Sequence, residues 1–464
     1  MVFSSTIFLF AFLPVVYIVN RFLPHKLSNA FLCIASLLFY AWGEPVYVLL
    51  MIASVLINYV FAKNMDRSPN KKARLVWAVV LNLAILFVFK YTDFVAASLN
   101  SAFGFAIPQP NIPLPIGISF FTFQAMSYTI DVYREVTNPQ RSFLKLMLYV
   151  SFFPQLIAGP IVKYHDIAEQ IDHRTLNLED TTKGIRRFII GLSKKVLIAN
   201  VLAVVVDGVY QLSAGQLSLP VAWLTAVAYV LQLYYDFSGY SDMAIGLGHM
   251  FGFEFKENFN YPMISASLRE FWQRWHISLS TWFKEYVYIP LGGNRKGKLR
   301  TGLSRVTVFF LTGLWHGAQW TFVIWGMIHG TFMLLEQYNI IPVNAMGKKT
   351  RWIGQLYTVL VVVLAFVIFR AESFAQAAAM WGNMFAGGWD MGMQAKWFSP
   401  LFYTALVLGI IGCTPWVHVG QAKLSHKSAA IWAGCSYVAA LALLVVCMLA
   451  LAASTHNPFI YFRF

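Results

Sequence analysis

Charged side chains are scarce in this chain. They form 12% of its 464 residues, whereas hydrophobic residues form 58% and mean hydropathy is +0.60. A soluble domain is roughly a quarter charged. The deficit excludes an ordinary soluble enzyme and indicates a polytopic α-helical membrane protein, which needs about 20 apolar residues for each span.

The sequence also lacks the signatures of common catalytic and metal sites. It contains no phosphate-binding G-x-x-x-x-G-K-[ST] loop, no G-x-S-x-G elbow and no H-E-x-x-H helix. The four cysteines lie inside apolar runs without metal-like spacing, which is typical of small buried hydrophobes: Cys33, Cys413, Cys435 and Cys447. We therefore predict no metal site, no bound cofactor and no covalent serine chemistry.

The net charge of +15 comes from lysines and arginines in short loops between apolar runs. This placement favours topology signals and contact with anionic membrane lipids over nucleic-acid binding. The 21–26 connection is basic, the 43–45 connection has no positive charge, and the 63–74 connection is strongly basic. This alternation predicts an N-terminus outside the cell and a cytoplasmic 63–74 loop.

Two apolar runs do not fit simple alternation, because basic connections flank both ends of 143–162 and 303–337. Each run contains Pro or Gly breakers, so we predict re-entrant or broken hairpins with both ends cytoplasmic. Irregular backbone at that depth must be buried or line a cavity. The predicted fold is an all-α transmembrane bundle, a single domain over 1–464 with about 10–12 spans around a central tunnel. The first of these spans is expected near 3–20, as a retained helix and not a cleaved signal peptide.

A histidine lies near the middle of the apolar stretch LTGLWHGAQWTFVIWGMIHG at 311–330. Ionisable residues at such depth are functional candidates, although His316 could equally be hydrogen-bonded between helices. Gly313 and Gly317 would let another backbone or a substrate approach. Trp315 precedes the ring, and Gln319 is expected on the same helix face as His316.

A second histidine of this stretch, His329, follows 13 residues later. On a continuous helix it would lie about 220° around the axis from His316. We therefore predict a structural or interfacial role for His329, apart from the face of His316.

The segment LREFWQRWHISLSTWFKEYVYIP at 268–290 combines basic residues with aromatic residues at 3,4,3,4 spacing. This pattern predicts an amphipathic helix at a membrane interface. His276 would lie on its apolar face beside Trp275, where a histidine is more often a core residue than a functional one. Arg274 and its neighbours could meet an anionic ligand such as a nucleotide phosphate.

Gln232 and Asp236 are four residues apart within the apolar run 220–250. A buried carboxylate needs a partner, which Lys194 or Lys195 could supply. Asp236 could also orient His276 and raise its basicity. The plainer interpretation is that Asp236 only holds helices together.

Several long motifs resemble the membrane-bound O-acyltransferase family. They are FWQRWHISLSTWF at 271–283, LTGLWHG at 311–317 and YYDFSGYSDMAIGLG at 234–248. Further segments resemble the family's bacterial alginate O-acetyltransferase branch: MVFSSTIFLF at 1–10, FYAWGEP at 39–45, PIGISFFTFQAMSYTIDVYR at 115–134, FFPQLIAGPI at 152–161 and NPFIYFRF at 457–464. The resemblance extends over essentially the whole chain.

The resemblance implies acyl transfer from a cytoplasmic thioester to an acceptor hydroxyl through a membrane tunnel. The family's invariant histidine corresponds to His316, and its more variable histidine or asparagine corresponds to His276. A neutral imidazole can act as general base, typically worth about 10²–10⁴-fold in rate. Burial in low dielectric keeps an imidazole neutral, and excluding water protects the donor from hydrolysis.

The resulting expectation is an inner-membrane O-acetyltransferase that takes acetyl from cytoplasmic acetyl-CoA. The acceptor would be an alginate-type or cellulose-type exopolysaccharide, or a periplasmic partner transferase. His316 would be the general base and His276 its partner, with six supporting residues: Asp236, Gln232, Trp315, Trp275, Arg274 and Gln319. The alternatives are a D-alanyl, lipid or protein O-acyltransferase of the same family, or a transporter or flippase.

Overall fold

The computed structural model describes residues 1–343, 347, 349–416, 419–420, 429–453 and 459–460, and no β-strand occurs among them. The prediction of an all-α fold is confirmed. The earlier helices are α1 Leu13–Phe22, α2 His25–Ala41, α3 Tyr47–Lys63, α4 Lys71–Lys90, α5 Thr92–Phe103, α6 Ile118–Tyr133, α7 Phe143–Ser151, α8 Phe153–Leu156, α9 Tyr164–Asp172 and α10 Leu178–Ser193. The later helices are α11 Asn200–Tyr210, α12 Leu219–Met250, α13 Leu268–Arg274, α14 Ile277–Phe283, α15 Gly297–His316, α16 Trp320–Gln337, α17 Arg351–Arg370, α18 Phe374–Ala386, α19 Pro400–Gly412 and α20 Ala429–Ala453.

Side-chain oxygens fix where several helices begin. In each case the residue before the helix accepts a hydrogen bond from a backbone N–H in the first turn, as N-caps do. The capping residues are Asn70 for α4, Ser142 for α7, Ser267 for α13, Ser373 for α18 and Ser399 for α19. Local chemistry therefore defines these helix starts.

Four helical stretches are long and apolar enough to cross a membrane: Lys71–Lys90, Leu178–Tyr210, Arg351–Arg370 and Gly434–Ala453. Shorter apolar helices of 10–17 residues accompany them, among them Phe8–Phe22 and Tyr47–Lys63. A total of 10–12 spans would have to include these shorter helices. The span count, the central tunnel and the orientation stay predictions.

The cysteines follow the prediction with one exception. Cys33, Cys413 and Cys447 are buried, whereas Cys435 on α20 is exposed. The expectation that all four are buried hydrophobes is wrong at that position, because α20 exposes much of its apolar surface outward.

The chain forms two compact units, each discontinuous in sequence. The first comprises Met1–Phe188 and Ser241–Lys256, and the second comprises Ile189–Tyr240 and Glu257–Phe464. The expected single acyltransferase domain stays a prediction. The candidate catalytic residues all belong to the second unit.

The first unit contains the first predicted break. Helix α7 ends at Ser151, Phe152 adopts a non-helical conformation, and α8 is only four residues long. Phe152, Phe153 and Leu156 are buried, so the irregular backbone lies inside protein. The break predicted within 143–162 is confirmed. Pro154, which has no backbone N–H, lies in the first turn of α8 directly after the break.

The second predicted break separates α15 from α16 in the second unit. Helix α15 ends at His316, and Gly317 is extended. The two helices pack closely at small residues: a Cβ on Gly313 would lie 2.4 Å from the Phe322 carbonyl oxygen, and one on Gly326 would lie 2.3 Å from the Phe309 carbonyl oxygen. The helix hairpin and the need for Gly313 and Gly317 are confirmed.

The single amphipathic helix predicted over 268–290 is wrong. Two short helices, α13 and α14, meet at Trp275 and His276, and a π-helical turn follows at Lys284–Tyr288. His276 has φ +44°, in the left-handed region, which ends one helix and starts the other. The aromatic face is buried within the protein instead of lying on a membrane surface.

Candidate active site

His316 is the last residue of α15 and is buried among aromatic rings. Its ring centroid lies 5.0 Å from that of Trp315, 5.0 Å from that of Trp325 and 5.4 Å from that of Phe369. All three neighbours meet the imidazole nearly edge-to-face, an arrangement that favours a fixed ring plane. The position therefore combines an ionisable ring, a helix end and a water-excluding wall.

His276 is fully buried at the break between α13 and α14. Its Nδ1 lies 3.2 Å from Oδ1 of Asn258, and that oxygen also accepts hydrogen bonds from the backbone N–H and hydroxyl of Ser278. Because Oδ1 is an acceptor, Nδ1 must carry the proton. Nε2 of His276 then presents a lone pair, and no hydrogen-bond partner for it exists among the described residues.

Trp315 joins the two predicted histidines. The Trp315 ring centroid lies 5.9 Å from that of His276 and 5.0 Å from that of His316. The structure thus brings His276, Trp315 and His316 into one aromatic cluster, although 40 residues separate the histidines in sequence. Their catalytic roles stay predictions.

His329 belongs to the same cluster, so the prediction that it lies apart from His316 is wrong. The Trp325 ring contacts both histidines, with a centroid distance of 5.0 Å to each. The angle of about 220° between His316 and His329 holds only for one continuous helix, but the break after His316 gives α16 its own orientation. The indole N–H of Trp272 donates to Nδ1 of His329 over 3.4 Å.

Asn258 is a site residue that sequence reasoning missed. Its side-chain Oδ1 accepts from the Ser278 N–H at the start of α14, and its backbone carbonyl oxygen accepts from the N–H of Ile277 over 2.9 Å. Asn258 therefore fixes both the break and the tautomer of His276. Nothing in the sequence of 254–260 indicates this role, because Asn258 contacts His276, which lies 18 residues later in the chain.

Asp236 lies in a buried ion pair instead of beside His276. Its carboxylate pairs with the ammonium of Lys195, and its Oδ2 accepts from the backbone N–H of Ile460 over 2.8 Å. The prediction of Lys194 or Lys195 as the partner is confirmed, with Lys195 as the residue, whereas direct orientation of His276 by Asp236 is wrong. The interpretation of Asp236 as a structural link fits this geometry.

The remaining predicted residues take different positions. Gln232 is buried one turn before Asp236, and its Oε1 has no hydrogen-bond partner in the described part of the chain. Trp275 packs in the core, 5.4 Å from Phe271 between ring centroids. Arg274 binds Glu270 within α13 and the backbone carbonyl of Asn260, so it links α13 to the loop at Asn260. Gln319 is exposed, and its predicted place beside His316 is wrong because α15 has already ended.

The Glu270 carboxylate organises the polar side of α13. It accepts from the Ala266 N–H over 2.9 Å and from Arg351 over 2.7 Å and 2.9 Å. Partial burial alone would raise the pKa of this carboxyl, but these hydrogen bonds and the nearby arginines lower it below its ordinary value. Glu270 is therefore a charged structural anchor near neutral pH and not a proton donor.

A cavity of about 440 Å³ lies in the second unit, beside the aromatic cluster that contains His316 and His329. Trp272, Phe309 and Met333 form apolar lining, and Arg269, Lys284 and Arg305 contribute positive charge. Within the described chain, neither Lys284 nor Arg305 forms a salt bridge. No group of three or more metal-ligating side chains occurs among the described residues.

Sequence comparison relates this chain to known membrane enzymes. The sequence profile of MBOAT, the membrane-bound O-acyltransferase family, matches residues 139–375. The chain is 39% identical to the probable alginate O-acetylase AlgI of Azotobacter vinelandii over 100% of both chains. It is 37% identical to the peptidoglycan O-acetyltransferase of Helicobacter pylori, over 81% of this chain and 78% of that protein. It is 28% identical to the teichoic acid D-alanyltransferase of Bacillus subtilis, over 62% and 74% respectively. The chain is a multi-pass membrane O-acyltransferase and belongs to the membrane-bound O-acyltransferase family.

Proposed function

We propose that this enzyme transfers acetyl from cytoplasmic acetyl-CoA to a glycan hydroxyl, directly or through a periplasmic partner transferase, at the inner membrane. One observation carries the proposal: the histidine cluster and a basic cavity share Trp272. That indole lines the cavity and donates to His329, which contacts Trp325 beside His316.

The cavity suits a phosphorylated thioester donor. Its volume of about 440 Å³ falls in the range of about 300–1,000 Å³ that is common for small-molecule sites. Lys284 and Arg305 can attract the phosphates, while Trp272 and Phe309 can contact the less polar arm. Arg305 lies about two turns into α15, on the side of the basic residues at 295–300, which charge bias assigns to the cytoplasm.

The chemistry follows from the two predicted histidines. His316 removes the proton as the acceptor oxygen attacks the acetyl carbonyl carbon, the C–S bond breaks, and the proton passes to the departing thiolate. The Nε2 lone pair of His276 accepts a hydrogen bond from a neighbouring hydroxyl of the acceptor, which orients it. The aromatic wall formed by Trp315, Trp325 and Phe369 excludes water that would hydrolyse the donor.

The acceptor class rests on the relatives. Two of them are named for O-acetylation of alginate and of peptidoglycan, which are both glycans. A carbohydrate hydroxyl is therefore the acceptor that we propose here, with an exopolysaccharide of the alginate or cellulose type as the first to test.

The test uses the purified full chain in liposomes with a radiolabelled thioester and a soluble alginate or cellulose oligosaccharide. Acetyl-CoA, a D-alanyl thioester and a long-chain acyl-CoA are compared as donors. Covalent label on the glycan from acetyl-CoA supports the proposal. Transfer only from the D-alanyl or long-chain donor would contradict it, and so would uptake of intact solute without transfer, which is the transporter outcome.

A further inference from the structure

His329 has a defined tautomer. Indole N–H groups only donate, so the Trp272 N–H requires a lone pair on Nδ1 of His329. The proton of the neutral ring therefore lies on Nε2. This assignment is opposite to that of His276, whose proton is fixed on Nδ1 by Asn258.

The N–H at Nε2 of His329 is buried and has no hydrogen-bond partner among the described residues. Leaving such a donor unsatisfied costs about 1–3 kcal/mol, so it is rare unless a ligand supplies the acceptor. Phe271, Phe309 and Phe366 surround the ring with centroid distances of 6.3–6.4 Å, and none of them offers an acceptor oxygen. The ring thus holds a donor in an apolar environment.

The place of His329 relates this donor to the proposed reaction. Trp272 and Phe309 both contact the His329 ring and both line the basic cavity. On its other side the ring meets Trp325, which contacts His316. His329 therefore lies between the wall of the cavity and the ring expected to act as base.

We propose that Nε2–H of His329 donates a hydrogen bond to the carbonyl oxygen of the acyl donor. The inference rests on the proposed thioester donor and deepens it by adding a substrate-binding residue. As the acceptor oxygen bonds to the acetyl carbon, negative charge develops on the carbonyl oxygen, and a preorganised donor stabilises it. The carbonyl then re-forms as the C–S bond breaks, and the charge leaves on the thiolate. His329 keeps its proton throughout. The proton of the acceptor hydroxyl still passes through His316 to the thiolate.

The test measures binding of two unreactive acetyl-CoA analogues to the full chain in detergent. Both carry a methylene in place of the thioester sulfur. One retains the ketone oxygen at the acyl carbon, and the other has a plain methylene there. The unmodified protein should bind the ketone about tenfold tighter, the effect of about one hydrogen bond.

His329→Phe should abolish this preference, because phenylalanine fills the space without a donor. His329→Gln, which keeps an N–H, should retain part of it. Trp272→Phe, which no longer fixes the tautomer, should weaken it. His249→Phe on α12, outside the site, is the matched control and should leave the preference unchanged. Thermal unfolding of each variant shows that the comparison is made on folded protein.

Equal ketone preference in the unmodified protein and His329→Phe would overturn the role of His329 while leaving the proposed function intact. Failure of both analogues to bind the unmodified protein would instead overturn the acetyl-CoA donor, and the His329 proposal with it. Loss of the preference in His329→Phe and its partial return in His329→Gln would support the proposal.

Discussion

Two groups of polar side chains are buried in the second unit, and they differ in how fully they are partnered. Asp236 pairs with Lys195 and also accepts from the Ile460 N–H. Nδ1 of His276 contacts Asn258 and Ser278, and Nδ1 of His329 accepts from Trp272, whereas the Nε2 atoms of both rings have no hydrogen-bond partner among the described residues. Burial is equally deep in both groups, so burial alone does not separate a structural group from a reactive one.

The difference in partners implies a difference in function. In this ion pair the two charges neutralise each other and Oδ2 accepts a backbone N–H, so the pair stabilises a local arrangement. The histidine cluster keeps hydrogen-bonding capacity available within an aromatic wall. That capacity can be used only by a molecule that enters the site. Disrupting each group separately tests this contrast.

Replacing the base should remove transfer and leave the fold intact. His316→Ala should lower acetyl transfer by about 10²–10⁴-fold, the range for a lost general base. Transfer of radiolabelled acetyl to the glycan measures this, together with the amount of protein in the membrane. His249→Ala is the control, and transfer that survives in His316→Ala at normal protein level would exclude His316 as the base.

Opening the ion pair should instead damage stability. Asp236→Leu leaves the Lys195 ammonium buried without its counter-charge, and we expect a loss of about 3–5 kcal/mol of unfolding free energy. Thermal unfolding and yield of the detergent-solubilised protein measure it.

The double variant Lys195→Met with Asp236→Leu removes both charges and should recover most of that stability and substantial transfer activity. If the double variant folds well but loses transfer as completely as His316→Ala, Asp236 would belong to the reactive group and the contrast would fail.

The close crossing of α15 and α16 holds two of the three histidines in place. Gly326→Ala would put a methyl 2.3 Å from the Phe309 carbonyl oxygen, and overpacking of this kind costs about 1–3 kcal/mol. The control is Gly382→Ala on α18, where a Cβ meets nothing within 4 Å. We expect a lower unfolding temperature and weaker transfer only for Gly326→Ala.

Sequence reasoning located His316 because composition and charge are read directly from the chain. The depth of the ring in an apolar run and the basic residues on both sides of 303–337 indicated a broken hairpin. A lysine partner for Asp236, either Lys194 or Lys195, followed from energetics, since a carboxylate in an apolar run requires a counter-charge. These predictions needed no knowledge of long-range contacts.

Long-range geometry explains the errors. The spacing on either side of Trp275 is helical, but Asn258 reaches across from another segment and stabilises the left-handed His276. His329 was misplaced because its angle was measured along a helix that ends at His316. Both errors have one physical cause: a tertiary contact or a break resets the helical phase, and periodicity does not encode it.

Position 276 combines a left-handed backbone with the proposed contact to the acceptor hydroxyl, and two substitutions separate these effects. Asparagine tolerates the left-handed conformation, whereas alanine there costs about 1–2 kcal/mol. His276→Asn should keep normal stability, and His276→Ala should unfold at lower temperature.

Transfer should fall in both variants of His276, and more in the alanine variant. Loss of one hydrogen bond of about 1 kcal/mol predicts roughly a fivefold loss of rate. The asparagine variant, whose amide can still reach a hydroxyl, should retain more. If alanine and asparagine lower stability and transfer equally, the left-handed backbone is not what restricts this position. This result would also argue against the correspondence of position 276 to the family position that is occupied by histidine or asparagine.

The smallest effect concerns the charges around the cavity. Lys284→Gln and Arg305→Gln should each raise KM for acetyl-CoA by about two- to fivefold and leave kcat unchanged, because a solvent-exposed charge contact is worth about 0.2–1 kcal/mol. The effect should shrink as salt rises, since screening already weakens the attraction in the unmodified protein.

The control is Lys298→Gln, which removes the same charge from an exposed residue that does not line the cavity, so the KM of this variant for acetyl-CoA should stay unchanged. An equal rise of KM in all three variants would mean that general surface charge attracts the donor, and the cavity would lose its claim to be the donor site. A rise confined to the two cavity residues, with kcat intact, would separate donor binding at the cavity from chemistry at the histidines.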